Sequence, residues 1–298
     1  MVMKKIAIIF NPKAGSGKKA ILDKIIKILS LTNSIQLFET KAAGDATDIA
    51  KKESNNFDII VAAGGDGTIN EVVNGINPNT PLGIIPMGTA NIVAIEAGIS
   101  NNVQNICAVI NQGNTKKVYL SNINNKKFIL MAGIGYDAQV VTNINPKLKK
   151  IFGKLIFALE GFKQFFKLKE FTITIKTNHQ TYNANWVLIT NAKHYAGSHS
   201  ISTSTDIFDE HLVCYIFPNL SKLSFLYNLF LILLFGDLSK SDKIITVRST
   251  SFEITSSTAT PIQCDGELLG LLPVTVKNNQ DFVYLLAPQL TKVIKGTK

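Results

Sequence analysis

Residues 64–71 read Gly-Gly-Asp-Gly-Thr-Ile-Asn-Glu, joining three glycines to a carboxylate, a hydroxyl and a second carboxylate one helical turn on. Gly64, Gly65 and Gly67 let backbone N–H groups approach an anion with no Cβ in the way. Asp66 stands in the middle of that anion-friendly turn, followed by Thr68 and Glu71. A carboxylate beside a bound phosphate is unfavourable unless a metal cation or a transferable proton lies between them, so the pairing points to phosphoryl transfer. A Gly-rich turn with a capping Asp or Thr also occurs in doubly wound proteins that lack this chemistry.

Other stretches carry weaker signals of the same kind. Asn11-Pro12-Lys13-Ala14-Gly15-Ser16-Gly17-Lys18 is a second phosphate-loop candidate. It is not a Walker A loop, because Pro12 stands where the first Gly would be and Lys19 where the Ser or Thr would be. Pro86-Met87-Gly88-Thr89-Ala90-Asn91 is a third. Near the other end, Cys264-Asp265-Gly266-Glu267 pairs two carboxylates around a glycine. Carboxylates this close repel, which raises one pKa and suits a general base, and Asp-Gly is equally a hairpin turn. Asp206 and Asp209, with Glu210 adjacent, form a loop that suits a hard cation such as Mg²⁺ or a plain Asp-capped turn. Gly133-Ile134-Gly135-Tyr136-Asp137 reads as a β-bulge or part of a cleft lining. His179, His194, His199 and His211 form no ligand pattern.

The elements that must position these residues follow from periodicity. Ile6–Phe10, Ile35–Glu39, Asp58–Ala62 and Leu82–Ile85 are apolar runs of strand length, and helices are expected from about Ala20, Asp45, Asn70 and Ile92. Strands alternating with helices up to about residue 110 predict a parallel α/β sheet. In such sheets ligands bind beyond the carboxyl ends of the strands, so the Gly-rich turns converge on one place. Beyond residue 111 the pattern changes. Short strands are expected at Val118–Ile123, Lys127–Gly133, Phe171–Lys176, Ala184–Thr190, Leu212–Phe217, Ile244–Ser249, Ser251–Thr255, Pro261–Asp265, Val274–Lys277 and Phe282–Leu286, which predicts a β-rich sandwich.

Two helical stretches interrupt that half. Residues 147–169 set lysines opposite an apolar face, and residues 220–235 are almost wholly apolar, yet too short for the roughly 20 residues that span a bilayer. Each fits either a helix packed on its own domain or a membrane-surface or acyl-chain site.

The chain has 298 residues, is 46% hydrophobic and carries a net charge of +10, which favours acidic partners without choosing among phosphorylated ligands, nucleic acid and anionic lipid. Cys107, Cys214 and Cys264 are odd in number and far apart, so neither a zinc site nor a disulfide framework is expected, and a reducing cytosol fits. Ile6–Phe10 is too short an apolar run for a signal peptide.

With Asn11–Lys18, Gly64–Val72, Pro86–Asn91, Gly133–Asp137 and Asp265–Glu267 in this order, the chain resembles the diacylglycerol kinase catalytic-domain superfamily, which includes bacterial lipid kinases and the sphingosine and ceramide kinases. The resemblance implies an α/β nucleotide-binding domain with a doubly wound parallel sheet over residues 1–123. It implies a β-rich sandwich domain with inserted helices for the lipid substrate over residues 124–285, and a tail, 286–298, that packs back on the first. It implies ATP contacts at Asn11, Pro12, Lys13, Ala14, Gly15, Thr40, Gly64, Gly65, Asp66, Gly67, Thr68, Glu71, Gly88 and Thr89. The catalytic carboxylates would be Glu267, Asp265 and Asp66, with Glu267 first as base, and Asp206 and Asp209 fall where bacterial members hold a structural Mg²⁺.

The expected activity is an ATP- and Mg²⁺-dependent lipid kinase, cytoplasmic and peripheral at the inner face of the membrane, acting on diacylglycerol or another lipid alcohol. Anionic phospholipid is an expected partner, nucleic acid is not, and a homodimer fits. The rivals are an NAD kinase-like enzyme and a catalytically weak peripheral lipid-binding protein. Ile92 departs from the Asp that many bacterial members carry after the residue matching Asn91, and the family's second-domain glycine cluster is reduced to Tyr195-Ala196-Gly197-Ser198-His199.

Overall fold

The structure is a computed structural model and describes residues 3–14, 18–143, 172–177, 179–195, 199–218, 221, 223, 227 and 236–289. The first half alternates β1 (Lys4–Phe10), α1 (Lys19–Leu29), β2 (Asn33–Glu39), α2 (Asp45–Glu53), β3 (Ile59–Gly64), α3 (Asp66–Gly75), β4 (Leu82–Pro86), α4 (Ile92–Glu96) and α5 (Val103–Gln112). β2, β1, β3 and β4 lie side by side, all parallel. β3 and β4 are buried along their whole length, which is why they are apolar without alternation: helices cover both faces of a parallel sheet. α1 turns Leu22, Ile25 and Leu29 inward at i, i+3 and i+7, and packs against α5.

The second half contains β5 (Thr115–Ile123), β6 (Lys126–Phe128), β7 (Met131–Gly135), α6 (Tyr136–Asn143), β8 (Ile173–Lys176), β9 (Thr181–Ala184), β10 (Trp186–Thr190), β11 (His194–Tyr195), β12 (His199–Ser200), β13 (Leu212–Phe217), β14 (Ile245–Ser249), β15 (Ser251–Ser256), β16 (Pro261–Cys264), β17 (Glu267–Leu271) and β18 (Val274–Leu286). One of its sheets runs β14-β13-β10-β7-β16-β17. Alternation along β13 sends Leu212, Cys214 and Ile216 into the core between the two sandwich sheets. Val213, Tyr215 and Phe217 go to the other face, into a core continuous with that of the first half.

β18 unites the molecule. Its first residues pair with β15, its last residues pair parallel to β4, and β5 runs antiparallel beside both parts. The parallel sheet of the first half thereby continues into the sandwich as one sheet. The expected strands 274–277 and 282–286 are this single strand, with its register to β5 shifting between Asn278 and Phe282.

Other expected strands divide. The run 127–133 breaks at Ile129-Leu130 into β6 and β7, which belong to different sheets. The run 184–190 breaks at Asn185 between β9 and β10 in the same way. Asp137 lies in the first turn of α6, directly after β7. The expected helix at 147–169 lies outside the described residues, as does that at 220–235 apart from Ser221, Leu223 and Tyr227. Among the described residues no helix is long and apolar enough to cross a membrane.

Candidate phosphoryl-transfer site

The loops after β1, β3 and β4 meet at contact distance. A Cβ on Gly88 would lie 2.6 Å from the Gly65 Cα, and one on Gly64 would lie 2.4 Å from Thr68 Oγ1, so only glycine permits both approaches. Side chains then tie the loops. Asn11 donates from Nδ2 to Thr68 Oγ1 at 3.1 Å and accepts the Lys13 N–H at 3.0 Å. Lys18 Nζ donates to the carbonyls of Met87 and Gly88, each at 3.2 Å. Lys13 Nζ reaches the Lys41 carbonyl at 2.8 Å, next to the buried Thr40, whose N–H bonds Phe10 O at 2.9 Å. Pro12 and Ala14 form the turn closed by Ala14 N on Asn11 O, and Thr89 follows Gly88 on the exposed rim. Gly15 lies outside the described residues.

Asp66 is the first residue of α3, and its Oδ1 accepts the Val93 N–H at 3.0 Å, so it caps the neighbouring helix α4. Burial pushes its carboxyl up, against N–H groups of Asn91, Ile92 and Val93 that favour the ionised form. Glu71, expected among the ATP contacts, turns instead to α2: its Oε2 accepts the Ala46 N–H at 3.2 Å while its carbonyl accepts Thr47 Oγ1 at 2.8 Å. It serves to hold two helices together.

The opposite wall comes from the turn between β16 and β17. Asp265 (φ 47°) and Gly266 (φ 82°) are both left-handed between the paired residues Cys264 and Glu267, as a two-residue hairpin of primed type requires. The Asp265 carboxylate collects four N–H donors: Ile129 at 2.9 Å, Leu130 at 3.0 Å, Met131 at 2.9 Å and Asn70 Nδ2 at 2.7 Å. Burial pushes its carboxyl up and these donors pull it down. Expected as a partner in proton transfer, Asp265 is an anchor: it breaks the β6–β7 run and binds the sandwich to α3.

Glu267 is the carboxylate left open. Its side chain is 55% exposed, its Oε2 accepts Lys126 Nζ at 2.9 Å, and its Oε1 lies 4.0 Å from where a Gly67 Cβ would be. Gly67 is thus the place where the turn after β3 and the hairpin face each other. Lys126 escaped the sequence reading. Burial lowers its ammonium, and Glu267 with Cys264 and Asp265 together raise it above its ordinary value, so it stays charged. The one signal for it was the Asn124-Asn125 pair, both at positive φ, which sets Lys126 at the start of β6.

Asp206 and Asp209 line, with Tyr119, Phe208 and Glu210, a surface depression of about 430 Å³. They do not fit a resident cation. Asp206 Oδ1 accepts the Phe208 N–H at 3.0 Å, and its Oδ2 lies 3.8 Å from Lys193 Nζ. Asp209 is neutralised by the guanidinium of Arg248, the chain's one arginine, and is flanked by the His211 ring at 3.2 Å. Among the described residues no three His, Cys, Asp or Glu side chains assemble as a metal centre. His194 is no ligand either, since its N–H and its Nδ1 both lie 2.7 Å from the buried Glu96 Oε1.

A glycine-lined parallel α/β half is closed by a sandwich that brings one open carboxylate against its loops. Residues 5–123 match the diacylglycerol kinase catalytic domain, and residues 131–294 match the YegS C-terminal NAD kinase beta sandwich-like domain. The chain is 32% identical over 295 residues to a diacylglycerol kinase of Staphylococcus aureus, with 96% of this chain and 93% of that protein aligned. It belongs to the diacylglycerol kinase catalytic-domain family. Its fold is that of a diacylglycerol kinase from Bacillus anthracis, with TM-score 0.79, 24% identity and coverage of 97% and 99% of the two chains. The fold extends to an NAD kinase from Archaeoglobus fulgidus in complex with ATP, with TM-score 0.56, 11% identity and coverage of 96% and 94%.

Proposed function

We propose that the chain transfers the γ-phosphoryl group of MgATP to the hydroxyl of a membrane lipid alcohol, diacylglycerol first among them, with Glu267 as general base. The observation that carries this reading is the open Glu267 carboxylate facing Gly67, at the N-terminus of α3. The N–H groups there form the positive end of a helix, and Lys13 and Lys18 lie on the neighbouring loop, which suits a triphosphate. Mg²⁺ enters as part of the nucleotide substrate.

In the proposed step, the lipid oxygen attacks the γ-phosphorus, its proton passes to Glu267, and the bond to the ADP oxygen breaks. ADP and the phosphorylated lipid leave. Lys126 keeps Glu267 aligned and adds positive charge beside the oxygens that gain negative charge. Asp66 acts from below, by fixing α4 and with it the Pro86–Asn91 loop.

The substrate reading also fits the net charge of +10, which favours an anionic inner-leaflet surface over a neutral one. The NAD kinase alternative has the shared sandwich in its favour, but an 11% likeness carries the fold alone, whereas 32% identity extends over 96% of the chain. Incubating the purified chain with labelled ATP, a total lipid extract and NAD tests the reading: label in phosphatidic acid or another lipid phosphate supports it, and label in NADP alone contradicts it.

A further inference from the structure

The Gly133–Asp137 motif has no part in the step just described, yet the structure gives it a specific environment. A Cβ on Gly133 would lie 1.9 Å from Asp137 Oδ2 and 2.7 Å from Gln263 Nε2, so the missing side chain is the space into which the Asp137 carboxylate folds back. Asp137 is 6% exposed and Gln263 2% exposed. The Asp137 carboxylate accepts a hydrogen bond from the Tyr195 hydroxyl on one oxygen and from Gln263 Nε2 on the other. Gln263 then uses its own Oε1 to accept the Gly266 N–H at 2.8 Å. Gly266 is the residue between Asp265 and Glu267.

We infer that Asp137 and Gln263 are positioning residues for Glu267: the buried carboxylate orients the Gln263 amide, and the amide carbonyl fixes the Gly266 N–H and hence the direction in which the hairpin presents Glu267. The inference rests on the reading of Glu267 as base. A neutral amide suits the central place because it donates to Asp137 and accepts from Gly266 at once, which a carboxylate cannot do without a proton. Tyr195 extends the chain of contacts to the first half, since its neighbour His194 holds Glu96 at the end of α4. The titratable groups facing Asp137 are Tyr195 from β11 and Tyr136 on α6 itself; those facing the hairpin are Lys126, Cys264 and Asp265.

The test exchanges donor and acceptor in the full-length chain. Gln263→Glu sets two carboxylates face to face, and one shared proton is needed to keep the geometry. Its kcat should fall about 100-fold, the cost of a misplacement near 1 Å, with KM for ATP unchanged, and the loss should deepen as pH rises and the shared proton leaves. The double variant Asp137→Asn with Gln263→Glu restores a complete pattern. The introduced amide donates to one oxygen of the introduced carboxylate and accepts from Tyr195 on its own oxygen, while the second carboxylate oxygen accepts from Gly266. This double variant should recover most of the lost kcat and remove the alkaline fall. Wild-type kcat and pH profile in Gln263→Glu, or a double variant no better than the single one at matched melting temperature, overturns the inference. If Gln263→Glu does not fold, Tyr195→Phe takes its place: lower kcat at unchanged KM for ATP supports the inference, and unchanged kcat overturns it. Glu267→Gln in the same assay separates the two readings. Full turnover there removes the base assignment and the positioning role with it, whereas an inactive Glu267→Gln beside a fully active Gln263→Glu removes the positioning role alone.

Discussion

Asn70 on α3 donates from Nδ2 to Asp265 Oδ2 at 2.7 Å, joining the helix that begins at the Gly-rich turn to a hairpin 195 residues away. The same carboxylate takes the N–H groups of Ile129, Leu130 and Met131, so one half-buried side chain closes the gap between the two halves of the site.

Removal of that side chain strands its donors. Asp265→Ala leaves three backbone N–H groups without an acceptor and puts Ala at φ 47°, a conformation it disfavours. The expected cost is more than about 3 kcal/mol, against total stabilities of about 5–15 kcal/mol for folded domains. Urea unfolding of the full chain checks it, and a loss below about 1 kcal/mol contradicts the anchoring role.

Asp66 should show the opposite balance. Its folded pKa is raised above the ordinary 3.8 by burial, so its contribution to stability is complete below that value and is lost as pH rises through the folded value. Asp66→Asn keeps an acceptor for Val93 and carries no charge. Because the contact to α4 is kept, turnover should stay within about threefold of wild type while stability at pH 7 stays equal or rises. A turnover about 10²-fold lower, or a melting temperature well below wild type at pH 7, contradicts this account.

Gly88→Ala tests the contact between loops. Its methyl would lie 2.6 Å from Gly65 Cα and 2.8 Å from Asn91 Oδ1, so the turn after β4 must move away from the turn after β3. KM for ATP should rise at least about tenfold with the lipid KM unchanged, since the displaced groups are those facing the nucleotide. Steady-state kinetics with each substrate varied would show it; equal changes in both constants speak against it.

Around Asp209 the expectation is independence from resident metal. Burial raises this carboxyl, but His211 and Arg248 together hold it below the ordinary value, so its contribution to stability is present above 3.8 and is lost as pH falls through the folded value. Arg248→Ala should weaken that acid-side dependence, by no more than about 1 kcal/mol because the pair is part-exposed and the His211 contacts remain. Chelation with EDTA should leave the melting temperature of the wild-type chain in place, and a fall of several degrees contradicts this reading of the loop.

The first half of the fold was legible because β3 and β4 are buried on both faces, so their sequences carry no polar side chain, and β3 ends at Gly64 while β4 ends at Pro86. β18 was divided in two because Asn278-Asn279-Gln280-Asp281 puts four polar residues inside one strand. β11 and β12 were missed since two residues carry no period, and β17 since Glu-Leu-Leu-Gly-Leu at a sheet edge does not alternate. Asp265 and Glu267 were recognisable as a pair of acids around a turn. Which one stays open was not, because three of the donors that occupy Asp265 are backbone groups of apolar residues, and a backbone N–H leaves no mark in residue type. Lys126 was hidden for a similar reason: its closeness to Glu267 depends on how β5, β6 and the hairpin come together across 141 residues.

The most direct measurement is transfer of labelled phosphate from ATP to diacylglycerol in mixed micelles, comparing the wild-type chain with Glu267→Gln. Glu267 is exposed and the amide is nearly isosteric, so melting temperature and KM for ATP should be unchanged while kcat falls by about 10²–10⁴, the usual contribution of a general base. Wild-type kcat in Glu267→Gln, or no labelled lipid from the wild-type chain, would contradict the account.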